Sequence, residues 1–342
     1  MLSFNRNNIH KKTPSIASGY FVQSDRNDSE HSLSFIPSAA HHSEHKSSQI
    51  TFPSLDFLPE SPNIVIESSS NYSSLLCCIT KSSTIKIPTY YICKPATREW
   101  RKMPNPKTRL TALHTGVAVT QTYPNLQFKM LRLSYTKTGF GHHCEVFDST
   151  SWAWKRLAYI KFNIEGTMLR KRNGIFLNGG FHWLTNLGEI FVYHVDQEKW
   201  AIIKVTQEME NYIQEALCIA IYCDGKLGVL YTTKEWMEIW ILEGYSTTNP
   251  IWKRKFRRDV RRIFENSRYH PWPVGMWSND TVMMLCDTKV VWINCTNDTC
   301  TTSEFSKPST HELYLFRTEF LVIFRRLLLG RHTPLDGLHF AL

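Results

Sequence analysis

The feature that most constrains this chain is a tryptophan that returns at nearly even intervals. Trp100, Trp154, Trp200 and Trp252 stand 54, 46 and 52 residues apart, and each follows a polar turn at the start of a short apolar run. The clearest unit lies between Gly174 and Val205. Gly174 to Leu177 is apolar, and Asn178-Gly179-Gly180 reads as a tight turn in which glycine supplies positive φ. Phe181 to Thr185 runs back, Asn186 to Glu189 turns again, Ile190 to Val195 is a third strand, and Trp200 to Val205 a fourth. Four short antiparallel strands ending on such a marker, repeated about every 50 residues, describe the blades of a β-propeller. A large two-sheet sandwich is the competing architecture, and the regular spacing favours the propeller.

The unit recurs downstream. Ala216 to Tyr222, Leu227 to Thr232, Trp236 to Leu242 and Ile251 to Phe256 make four strands. Val282 to Cys286, Lys289 to Asn294 and Cys300 to Phe305 make three more. Five units fill Asn63 to Phe305. The strand-like pieces left over, Gly19 to Gln23, Ser32 to Ile36 and the apolar stretch from His311 to Phe324, would complete a sixth blade by pairing with one another, hiding two sheet edges. The expected fold is therefore all-β, a kelch-like propeller of about six four-stranded blades closed by N- and C-terminal strands. Residues 1–17 are expected to be disordered, 18–324 to form the propeller and 325–342 to be a tail, with Ala39 to Gln49 a flexible loop.

Composition agrees with a large globular β-domain. The chain has 342 residues, 42% hydrophobic and 20% charged, and the 13% aromatic share suits half-buried pleated surfaces. No run reaches the roughly 18 apolar residues that cross a bilayer, since Phe320 to Leu329 is interrupted by Arg325 and Arg326. The first 30 residues lack an apolar signal core, and none of the nine cysteines forms a Cys-x-x-Cys pair. A reducing compartment, cytoplasmic or nuclear, is the expected location, with no membrane partner.

Several strings resemble the F-box-associated domain of plant F-box proteins. They are YICKPATREWRKMPNPKTR (Tyr91 to Arg109), GIFLNGGFHWLT (Gly174 to Thr185), IFVYHVDQEKW (Ile190 to Trp200), GKLGVLY with MEIWIL (Gly225 to Leu242) and LCDTKVVWIN (Leu285 to Asn294). The resemblance covers roughly Ser18 to Phe324. It implies a kelch-like fold and a role as the substrate-holding part of a Skp–cullin–F-box ubiquitin ligase, with target proteins as partners. A Skp-type adaptor and cullin would join only where an F-box is supplied. Residues 1–50 show no F-box pattern, so the chain is expected to begin just after the place where one would end.

Candidate chemistry is sparse. His142-His143-Cys144 is a dense group of metal-ligand side chains, but strand neighbours point to opposite faces, so His143 cannot join the other two. Cys295 and Cys300 flank a turn and read as free thiols. No phosphate loop, nucleophile elbow or paired-carboxylate motif is visible, so no catalytic residue, cofactor or metal is expected.

The formal charge of +10 is uneven: Lys253, Arg254, Lys255, Arg257, Arg258, Arg261 and Arg262 against Asp259 place +6 of it within ten residues. Three readings stand side by side: a solvated, guarded edge strand, a nuclear-import signal, or an electrostatic footprint for an acidic partner or nucleic acid. Nucleic acid is the least expected partner. A stand-alone or nuclear nucleic-acid-associated scaffold using this run is the alternative to a ligase receptor. The four marker tryptophans are expected to pack between blades rather than to touch a partner.

Overall fold

The computed structural model describes residues 5–6, 16–26, 30–38, 51–59, 61, 63–71, 73–80, 88–136, 141–162, 167–170, 174–210, 217–222, 225–245, 250–268, 270–278, 280–287, 289–304 and 311–317. Of the N-terminal segment 1–17, only 5–6 and 16–17 are among them, and the loop 39–49 and tail 325–342 lie outside the described residues.

The first three strands, β1 (Asn5–Arg6), β2 (Gly19–Arg26) and β3 (Glu30–Pro37), join sheets finished much later in the chain. The first blade is β4 (Ile64–Ser69), β5 (Leu76–Thr80), β6 (Tyr90–Lys94) and β7 (Glu99–Lys102), with β1 added outside β7. The second is β8 (Ala112–Gln121), β9 (Gln127–Tyr135), β10 (His142–Asp148) and β11 (Ala153–Arg156). The third is β12 (Ile175–Leu177), β13 (Gly180–Leu184), β14 (Ile190–His194) and β15 (Lys199–Ile203). The four-residue helix α1 (Gln207–Glu210) leads into the fourth blade: β16 (Leu217–Tyr222), β17 (Lys226–Thr232), β18 (Trp236–Glu243) and β19 (Ile251–Asp259). A second short helix, α2 (Arg261–Phe264), precedes the fifth: β20 (Trp272–Met276), β21 (Thr281–Cys286), β22 (Lys289–Asn294) and β23 (Cys300–Glu304). The sixth is built from both ends of the chain, with β24 (His311–Phe316) against β2 and β2 against β3.

The architecture is the six-bladed propeller that the sequence implied, closed by its terminal strands. Two details differ. Among the described residues the closing sheet has three strands rather than four, and the inner strand β20 carries no sequence signal. Its string Pro271-Trp272-Pro273-Val274-Gly275 reads as a breaker, because proline lacks a ladder donor and glycine weakens a strand. The structure accommodates it with a register irregularity between Pro273 and Gly275, a bulge on the inner strand.

The core is a set of six apolar slabs, one at each blade boundary. Period-two alternation explains this: residues of one strand point alternately to the blade before and the blade after. On β2, Tyr20 and Val22 pack with Met283, Val290 and Trp292 of blade five, while Phe21 packs with Ile64, Ile66 and Tyr91 of blade one. The marker tryptophans behave as expected. Each is the second residue of its blade's fourth strand and turns toward the preceding blade. The Trp154 indole donates to the Pro104 carbonyl at 2.8 Å, and that of Trp252 to the Lys204 carbonyl at 2.9 Å.

A finer repeat sits in the turns entering these outer strands. Arg98, Trp152, Glu198 and Asp298 all have positive φ, between 49° and 60° with the other non-glycine cases, and each lies two residues before Trp100, Trp154, Trp200 or Cys300. The left-handed position thus recurs in blades one, two, three and five, whereas blade four has Pro250 there, and in blade five a cysteine stands where the others carry tryptophan. The Asn178-Gly179 hairpin has positive φ at both residues, as a type I′ turn requires.

Candidate protein-binding surface

Because strands alternate in direction, each propeller face is made by two kinds of connection. Turns from the second to the third strand, and the links from one blade to the next, share one face. That face carries Tyr135, Tyr159, Met168, Leu187 and Trp272, five of the nine large apolar side chains left exposed among the described residues. Sequence reasoning did not find them, because exposure of single apolar residues in connections depends on how those connections lie. Met168 is clasped to the turn that carries Leu187: its N–H donates to Asn186 Oδ1 at 2.9 Å, and Asn186 N–H donates to the Met168 carbonyl at 2.8 Å. Large exposed apolar groups grouped on one face are what a protein-binding surface needs as anchors.

The scaffold beneath this face is stiffened by a buried ionic network. Arg132 on β9 and Glu145 on β10 are 2% and 0% exposed. The guanidinium donates to Glu145 Oε2 at 2.9 Å, to Thr108 Oγ1 at 2.8 Å and to the Tyr90 hydroxyl at 3.1 Å, and also to the Leu110 carbonyl. Thr108 gives Glu145 its backbone N–H at 2.7 Å and its hydroxyl. The link between blades one and two, residues 103–111, is therefore pinned at both Thr108 and Leu110. A further cross-blade contact joins His182 Nε2 to the Tyr245 hydroxyl at 2.7 Å, where burial drives His182 down to about 3 and Tyr245 up to about 12.

The triplet His142-His143-Cys144 divides as its strand position requires. His142 is buried 5.4 Å from the Phe162 ring, His143 faces Tyr159 on the other side at 6.0 Å, and Cys144 lies inside the slab between blades two and three. Burial lowers the His142 pKa and raises that of Cys144. Among the described residues no three His, Cys, Asp or Glu side chains group as metal ligands, and Cys295 and Cys300 are both free thiols.

The basic run forms β19, the outermost strand of blade four, and the start of α2. Five of its seven basic residues make ion pairs. Lys253 meets Glu243 at 2.6 Å, Arg258 meets Asp298 of blade five at 2.8 Å, and Arg261 meets Asp259, holding that carboxyl at about 2. Arg254 and Arg257 share one carboxylate, Glu238 on β18, at 3.6 and 3.3 Å. Glu238 is 4% exposed and also accepts the Trp240 indole N–H at 2.9 Å. Lys255 and Arg262 make no ion pair among the described residues. The sharing arises from a register irregularity: Ile239 pairs with Phe256 but Trp240 pairs with Arg254, leaving Lys255 as the extra residue of a bulge. Arg254 then lies 5.4 Å from the Trp240 ring centroid, and Arg257 4.3 Å from that of Trp236.

With this geometry in place, comparison with known proteins supplies the family. The model of the F-box associated beta propeller domain matches residues 23–319. The chain belongs to that family. Its relatives include two F-box proteins of Arabidopsis thaliana. At5g49610 is 29% identical over 222 residues, 57% of this chain and 56% of that protein. At5g41720 is 39% identical over 84 residues, 24% of this chain and 44% of that protein. The chain thus spans about half the length of the curated relatives it matches. Among solved structures, TolB from Acinetobacter baumannii is 11% identical, covering 86% of this chain and 65% of TolB with a TM-score of 0.48.

Proposed function

We propose that this chain is the substrate-holding propeller of a Skp–cullin–F-box ubiquitin ligase receptor, acting by binding and without chemistry of its own. The observation that carries the reading is the family match across residues 23–319 of a closed propeller. The relatives' names as F-box proteins support it. Target proteins would dock on the face bearing Tyr135, Tyr159, Met168, Leu187 and Trp272, with the Arg132–Glu145 network keeping the underlying links rigid. In this reading the protein works in the cytosol or nucleus, and an F-box links it to the adaptor and cullin.

The test uses the chain alone and the chain fused behind an F-box, each expressed in plant cells. Proteins captured by both are followed for abundance with and without proteasome inhibition. The fusion should lower their steady-state level in a proteasome-dependent way, while the chain alone should leave it unchanged or raise it. Unchanged levels under the fusion, with the adaptor shown to be bound, would overturn the reading.

A further inference from the structure

We propose that the outer edge of blade four is a docking site for an extended acidic segment of a partner protein, which adds to β19 as a fifth strand. The inference deepens the receptor reading, naming the chemistry of part of the partner, and rests on it.

Three features of β19 support it. The first is length. The fourth strands of blades one, two, three and five, β7, β11, β15 and β23, have four or five residues, whereas β19 has nine, running from Ile251 on one face to Asp259 on the other. The only other long terminal strand on the outer side of a blade among the described residues is β3, with eight. It is the terminal strand of its sheet, so one row of backbone groups is unpaired among the described residues. The same molecule shows that such an edge accepts a strand, since β1 pairs antiparallel with the outer strand of blade one through Asn5–Trp100 and Arg6–Glu99.

The second is charge. Arg254 and Arg257 divide a single carboxylate, and Lys255 and Arg262 have no ion pair among the described residues, so the edge keeps a positive excess after its own acids are counted. A second copy would bring an identical basic row alongside this one, and like charges opposite each other destabilise a strand pair. An acidic strand meets the opposite condition: carboxylates directly opposite Arg254 and Arg257 would lie at cross-strand pairing distance.

The third is preorganisation. The two guanidiniums are laid against the Trp240 and Trp236 rings and tied to the nearly buried Glu238, so little side-chain freedom remains to be lost on binding. Planar guanidinium forks held in this way suit two-point recognition of carboxylates.

The experiment uses the full chain and synthetic ten-residue peptides in fluorescence anisotropy. One peptide alternates Glu with Val, its control alternates Gln with Val, and two further versions carry N-methyl groups on alternate backbone nitrogens in the two possible phases. The acidic peptide should bind at least tenfold tighter than the control, and its affinity should fall steeply with salt. One N-methylated phase should lose binding at least tenfold while the other keeps it. Lys255→Glu, at an exposed bulge residue, should weaken binding about fivefold. Arg257→Lys, which keeps the charge and leaves Arg254 on Glu238, should weaken it about tenfold, with thermal midpoints checking the fold. Equal binding of the neutral control, indifference to both N-methyl phases, or unchanged affinity in both variants would overturn the proposal. So would tighter binding of a single-stranded oligonucleotide of equal charge. Loss of peptide binding in the variants with target capture intact would separate this site from the receptor function. Capture that fails while the peptide still binds would refute that function alone.

Discussion

Replacing Arg132 by methionine should be among the most damaging single changes outside the inter-blade slabs. It removes a guanidinium that is 2% exposed and leaves the Glu145 carboxylate, 0% exposed, facing only the Thr108 N–H and hydroxyl. Stranding one member of a buried ion pair costs about 3–5 kcal/mol. The Tyr90 hydroxyl and Leu110 carbonyl lose donors as well, each a further cost of about 1 kcal/mol if water cannot reach them. With a urea dependence of about 3 kcal/mol per molar for a chain of this size, the midpoint followed by tryptophan fluorescence should fall by about 1–2 M. The double variant Arg132→Met/Glu145→Met is the informative partner, since it leaves no uncompensated charge. It should be less destabilised than the sum of the two single variants by at least about 1 kcal/mol. A midpoint shift below about 0.3 M for Arg132→Met, or strict additivity in the cycle, would refute the claim that this pair pins residues 103–111.

Acidification should weaken the fold through His182. Its folded pKa lies at about 3, below the ordinary 6.5, so the unfolded chain binds the proton first and stability is lost as pH falls from 6.5 toward 3. At pH 5 the loss from this group is about 2 kcal/mol, and His182→Gln should shrink the difference between urea midpoints at pH 7 and pH 5 by about 0.7 M at the same urea dependence. Phe316→Ala, at a fully buried ring in the closing sheet, should cost about 3–5 kcal/mol, with hydrogen exchange rising first in β2 and β24. Glu198→Asn relieves a left-handed residue at φ 53°, and the exposed ion pair it gives up with Lys155 is worth little. The variant should raise stability by about 0.5–1 kcal/mol in thermal unfolding.

Which parts were legible in the sequence follows from how local their causes are. The third blade was readable strand by strand, because Asn178-Gly179 dictates its hairpin and apolar runs of four to six residues flank it. The marker tryptophans worked because each directly follows a turn only six residues long, as from Lys94 to Glu99 or His194 to Lys199. Where Cys300 takes that place the marker vanishes, although Asp298 still marks the turn with positive φ. The inner strand β20 was hidden because its proline and bulge are tolerated only by the surrounding sheet. The basic run was visible as charge, but not as a paired edge. Glu238 lies 16 and 19 residues before its two arginines, and a bulge at Lys255 decides which of them reach it. The exposed apolar face depends on links between blades, whose course no local pattern specifies.

The closing sheet also sets a timetable for synthesis. β2 leaves the ribosome before any of the first five blades is complete, yet its partner β24 begins at residue 311. At elongation rates of about 5–20 residues per second, this early strand waits on the order of 15–60 s before the segment that pairs with it exists. For most of that interval Tyr20 and Val22 lack blade five, which is complete only at Glu304, and Phe21 has blade one on its flank but not the β24 strand that seals it. A premature stop before residue 311 yields not a propeller lacking one strand but an open arc whose two ends have nothing to join.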